Sequence, residues 1–116
     1  MKRFLIGLSL MMLGSAVNAK TATCLLVVDG EFYMNGTCEF TAETGGDFTA
    51  TTQSDDGQIE WSASMFIEDG VGKMAWNGDG QEGQRMTPAG HQHTVEHAMK
   101  RDGACWANKT ALLCAW

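Results

Sequence analysis

Residues 102–116 read DGACWANKTALLCAW, and this stretch decides the fold. It holds two of the four cysteines, Cys105 and Cys114, and two of the four tryptophans, Trp106 and Trp116. It reads as a strand, a turn and a strand. Taking Lys109-Thr110 as the centre of the reversal pairs Asn108 with Ala111, Ala107 with Leu112 and Cys105 with Cys114. Opposed side chains in an antiparallel ladder bring their Cβ atoms to about 4.5–5.5 Å, and a disulfide needs about 3.5–4.5 Å. A close, non-hydrogen-bonded pair is therefore required. Centring the turn on Asn108-Lys109 would set Cys105 against Leu112, whereas a loop from Asn108 to Ala111 keeps the cysteines in register.

Working outward, Cys24 and Cys38 bracket a second turn region. Four cysteines allow three pairings, and the spacing predicts Cys24–Cys38 and Cys105–Cys114. A hairpin centred on Asp29-Gly30 places Cys24 opposite Asn35, so the first bridge needs a bulge, or a crossing to a strand beyond Asn35-Gly36. No CxxC pair is present, which argues against a zinc cage and against a thiol redox motif.

The body between the cysteine pairs is short strands and turns. Ile59, Trp61, Ala63, Met65 and Ile67 alternate with Glu60, Ser62, Ser64 and Phe66, the period-two pattern of a strand with one buried face. On this reading Ser62 and Ser64 lie on a solvated face. Asp29-Gly30, Asn35-Gly36 and Asp69-Gly70 are hairpin turn signals, and Ser54 to Gly57 is a further turn. Extended runs are expected at Cys24 to Val28, Glu31 to Met34, from Cys38, at Asp47 to Thr52, at Val71 to Asn77 and at Thr94 to Lys100. Asn77 to Gly90 is the longest loop, with four glycines and Pro88. No helical apolar stripe is present. The expected class is all-β: a small antiparallel sandwich or barrel of about seven short strands with two disulfides.

Met1-Lys2-Arg3, the apolar run Phe4 to Leu13 and the small residues up to Ala19 form, in that order, a secretory signal peptide. The expected organisation is a signal peptide over 1–19 and one β domain over 20–116. Removing Lys2 and Arg3 takes the formal charge from −6 to −8. That charge argues against nucleic acid, whose affinity rests on neutralising phosphates, and against anionic lipid. It suits a basic protein partner. Disulfides and a signal peptide together place the chain in the bacterial periplasm or outside the cell.

Few constellations carry chemistry. His91, His93 and His97 share strand parity, with Met86 and Met99 flanking them, a donor set suited to copper or zinc. The glycine-rich run from Asn77 to Gly83 lacks the lysine and the helix of a phosphate loop. Bridged cysteines leave no thiol nucleophile, so no catalytic residue and no cofactor is expected. Trp76 and Trp106, which adjoin loops, are candidate partner contacts, together with Asp79 and Glu82 in the long loop.

The runs CLLVVDGEFYMNGTC (24–38), WNGDGQEG (76–83) and RDGACWANKTALLCAW (101–116) resemble a group of small exported proteobacterial β-domains. The resemblance implies an exported β domain with two local disulfides and implies no activity. The design is also similar to the small periplasmic lysozyme inhibitors, whose S-G-x-x-Y motif is absent, so no inhibitory residue is carried over. The expected function is that of a non-enzymatic exported binding protein, an inhibitor or partner of a basic envelope or cell-wall enzyme. The alternative is periplasmic copper or zinc binding by His91, His93 and His97.

Overall fold

A computed structural model describes residues 18–78 and 91–116. Eight strands follow one another: β1 Asn18–Val28, β2 Glu31–Ala42, β3 Phe48–Gln53, β4 Ile59–Glu68, β5 Val71–Trp76, β6 Thr94–Asp102, β7 Cys105–Ala107 and β8 Ala111–Ala115. Each pairs antiparallel with the next, and β8 returns to pair with β1, closing a barrel. The expected all-β class holds. The choice between sandwich and barrel falls to the barrel, and the strand count is eight rather than about seven.

Period-two alternation generates the wall. In β1, Ala22, Cys24, Leu26 and Val28 are buried, while Thr21 and Thr23, which alternate with Ala22 and Cys24, are exposed. In β4, Ala63 and Met65 face inward and Phe66, 42% exposed, faces out. Eight strands leave an interior just wide enough for side chains to fill. Here the filling is rich in methionine: Met34, Met65, Met74 and Met99 are fully buried with Leu26, Leu113 and Trp76. Unbranched, flexible thioethers suit the irregular gaps of a small barrel.

The hairpin turns are mostly where the Asp-Gly signals put them. Asp29 and Gly30 have φ of 53° and 83°, and Asp69 and Gly70 have φ of 54° and 77°. Positive φ at both central residues gives the turn whose twist matches the flanking strands. Asn35-Gly36 is not a turn. β2 runs straight through it, with Asn35 opposite Leu25 and Gly36 opposite Cys24. The long pairing with β1 outweighs the local signal.

Both bridges form as expected, Cys24–Cys38 and Cys105–Cys114. Cys105 lies directly opposite Cys114, and Ala107 opposite Leu112. Asn108 Oδ1 accepts hydrogen bonds from the N–H groups of Thr110 and Ala111, both at 2.8 Å, and so shapes the loop between them. For the first bridge, a bulge between Leu26 and Val27 shifts the register by one residue. Cys24 then sits opposite Gly36, and Cys38 lies two pairs further along, opposite Ala22. That bridge is diagonal and buried inside the barrel, whereas Cys105 on the outer wall is half-buried.

The up-and-down order sorts the connections onto two ends. The upper end carries the β1–β2, β3–β4, β5–β6 and β7–β8 connections. The lower end carries the other three connections, including a single 3-10 turn at Thr44–Gly46, together with the start of β1 and the end of β8. The expected signal segment lies almost wholly outside the described residues. Its last two residues, Asn18 and Ala19, begin β1 opposite Ala42 and Thr41.

The two bridges predict unequal losses. Replacing Cys24 and Cys38 together by alanine removes a cross-link spanning 14 residues and leaves a void in the core. The expected loss is about 3 kcal/mol or more from loop closure and packing combined. Replacing Cys105 and Cys114, which span 9 residues, costs less. Urea midpoints of the two double variants give the comparison.

Candidate functional site

The upper end is where the chain's charge is least balanced. Among the described residues it carries Asp29 and Glu31 at the first turn, Asp55 and Asp56 at the third connection, and Glu60 and Glu96 near the strand ends. Lys109 is the one lysine or arginine there among the described residues. At the lower end, by contrast, Glu39, Glu43, Asp47, Glu68, Asp69 and Asp102 are offset by Lys20, Lys73, Lys100 and Arg101.

Hydrogen bonds fix the upper connections. Asp56 Oδ1 accepts from the Ser54 hydroxyl and from the Gln58 N–H, and Ser54 N donates to Gln58 O at 2.8 Å. Glu96 Oε1 accepts from Thr110 Oγ1 at 2.8 Å, and Asn108 Nδ2 donates to His97 O at 2.8 Å. The β7–β8 loop is thereby tied to β6. Two apolar side chains stand exposed among these acids, Phe32 at 63% and Ile59 at 38%.

Asn77 anchors the start of the long loop. It is fully buried. Its Oδ1 accepts from Ser62 N at 2.9 Å, and its Nδ2 donates to Glu60 O at 3.0 Å. Gln92, just beyond the loop, donates from Nε2 to Ser62 Oγ at 2.9 Å. Ser64 Oγ shares a 2.8 Å hydrogen bond with Thr49 Oγ1. Ser62 and Ser64, expected on a solvated face, are therefore buried on the outer wall of β4. Neighbouring polar side chains cover them.

The candidate partner contacts divide. Trp76 has no exposed surface; its ring packs edge-on to Tyr33 with centroids 4.8 Å apart, and 6.2 Å from Trp61. A Cβ at Gly78 would lie 2.2 Å from the Trp76 ring, so glycine at 78 lets the chain leave β5 across that ring. Trp106 is also buried, against Gly72 in the lower half of the barrel. Adjacency to a loop does not expose a side chain whose strand parity points inward. Neither tryptophan projects from the outer wall, and only Trp106 borders an open cleft, at the lower end. Asp79 and Glu82 lie outside the described residues, as does most of their loop.

His91, His93 and His97 are each exposed. Among the described residues no group of three or more His, Cys, Asp or Glu is arranged to hold a metal ion. Sequence reasoning missed Asn77 as an anchor because an Asn-Gly pair after a strand reads as a turn. It passed over Glu96 as the tie between β6 and the β7–β8 loop because that contact joins residues 14 apart in the chain.

The chain matches no protein-family model, no curated protein and no solved structure.

Asn77→Ala removes the acceptor of the Ser62 N–H and a donor to the Glu60 carbonyl. The expected loss is about 1–3 kcal/mol, read as a lowered urea midpoint. Amide exchange at Ser62 should quicken, while exchange in β1 and β8 is unaffected beyond the global change.

Proposed function

We propose that the protein is a non-enzymatic exported binding protein that engages a basic partner protein of the cell envelope through the upper, acidic end of its barrel. The observation that carries this reading is the sorting of charge: six carboxylates face one lysine at that end among the described residues. Clustered like charge raises the rate of encounter with an oppositely charged partner about 10–10³-fold, and salt weakens the effect. Phe32 and Ile59 supply exposed apolar surface within the same acidic end, and an apolar centre with a polar rim is the usual anatomy of a protein contact. The bridging of all four cysteines leaves no free thiol, so a thiol nucleophile is not available to the protein.

The test is surface-plasmon binding of the mature, disulfide-intact protein to a panel of basic envelope enzymes, lysozymes included, at low and at physiological salt. A partner should associate at least about tenfold more slowly with a variant carrying Asp29→Lys, Glu31→Lys and Asp55→Lys. The matched reversal at the lower end, Glu43→Lys, Glu68→Lys and Asp69→Lys, should leave the rate within about twofold of wild type. Retention of no panel member at low salt, where charge-driven binding is strongest, defeats the proposal. So does an equal effect of the two reversals.

A further inference from the structure

The opposite end of the barrel has a different chemistry. Between the three lower turns lies an open cleft of about 470 Å³. Phe40, Phe48 and Ile67 line its sides, and Trp106 lines it beside them. Phe40 and Phe48 stack with ring centroids 5.0 Å apart and planes 30° from parallel. The Trp106 ring lies so close over Gly72 that a Cβ there would meet it at 2.9 Å. Only glycine at 72 permits this placement.

The rim is nearly free of side chains. Gly45, Gly46, Gly70, Gly103 and Ala104 form it, and Gly46, Gly70 and Gly103 have φ of 92°, 77° and 65°. A larger residue is disfavoured at such angles, so the backbone that makes these turns also keeps the mouth open.

Within this lining a single side chain is charged, Arg101. Strand register puts it there. Arg101 is the direct partner of Trp106 across β6 and β7, and paired residues share a face of the sheet. Arg101 Nε donates to Gly103 O at 3.0 Å, which holds the guanidinium at the rim. No other hydrogen bond or ion pair engages Arg101 among the described residues, so its two terminal nitrogens are uncommitted. A second cation stands nearby, with Lys20 Nζ 5.7 Å from the centroid of Phe40. In a chain of formal charge −6, an apolar cleft whose only charged lining is cationic is a local inversion of the surface.

We propose that this lower mouth binds a small amphipathic carboxylate, its acyl or aryl body lying on Phe40, Phe48 and Trp106 and its carboxylate meeting the Arg101 fork. A guanidinium with two free nitrogens matches a carboxylate in a bidentate geometry. The cleft falls within the size range of small-molecule sites, which are mostly apolar with a few orienting polar groups. Met65, Met74 and Met99 fill the barrel beyond it, so the occupant is short and does not thread the interior. The site shares no residue with the acidic end, and it stands or falls independently of binding there.

The probes are octanoate and 3-phenylpropionate, which separate an acyl from an aryl source, with octyltrimethylammonium as the chain-matched cation. Calorimetry on the disulfide-intact mature protein gives the affinities, and a shift in tryptophan emission that disappears in Trp106→Phe places the ligand. At least one carboxylate should bind, and the cation should bind at least about tenfold more weakly. Arg101→Gln, a change at an exposed side chain, should weaken carboxylate binding about tenfold or more, and Arg101→Lys should restore part of it. Ala104→Trp, which fills the rim without touching Arg101, should abolish binding while the circular dichroism is unchanged. The proposal is overturned if neither carboxylate binds, if the ammonium binds equally well, or if Arg101→Gln binds as tightly as wild type.

Discussion

The barrel depends on its seam. Five residues of β1, Cys24 to Val28, pair with five of β8, Ala111 to Ala115, the first and last strands among the described residues. Beyond the ladder the seam extends at both ends. Asp29 N donates to Thr110 O at 2.8 Å, and Thr23 and Trp116 exchange backbone hydrogen bonds at 3.2 and 2.9 Å. Without this pairing β1 and β8 would each present an unpaired edge, which in other proteins invites aggregation. The Cys105–Cys114 bridge bears on the same seam, because it fastens β8, one side of the seam, covalently to β7.

Closure dictates what the interior accepts. The pairing is antiparallel throughout, so every second residue must fit a tapering space already shared with seven other strands. The chain meets this with methionines, a diagonal disulfide and glycines at the points of closest approach. Gly72 lies under Trp106 and Gly78 lies against Trp76. An interior so filled leaves chemistry to the two ends. The same meander that fills the core separates those ends into one with excess carboxylate and one with a cationic, apolar mouth.

Much of the wall was legible in the sequence. The strand from Ile59 to Ile67, the Asp-Gly pairs at 29 and 69, and both disulfides follow from periods and spacings that are local properties of the chain, although Ile59, expected on the buried face, is exposed and Ser62 and Ser64, expected on the solvated face, are buried. What was illegible was set by contacts distant in sequence. Asn35-Gly36 has the composition of a turn but is held straight by its pairing with Cys24 and Leu25. Trp76 and Trp106 adjoin loops, yet their parity with Met74 and Leu113 sends them inward. That parity was visible for Met74 and Trp76; which face was the interior was not. Arg101 drew no notice because its meaning comes from lying across from Trp106, at an end that three separate turns build together.

The methionine filling has a chemical consequence. A thioether is readily oxidised to a sulfoxide, which is polar and chiral where the thioether was apolar. In the closed barrel the sulfurs of Met34, Met65, Met74 and Met99 are out of reach of a dissolved oxidant, because none of these residues has more than 1% of its surface exposed. In the open chain all four are within reach. Closing the barrel therefore shields these sulfurs, and a chain oxidised before closure carries oxygen atoms into an interior made almost wholly of carbon and sulfur. The order of two events, folding and oxidation, therefore decides whether the core is filled by thioethers or must accommodate polar sulfoxides.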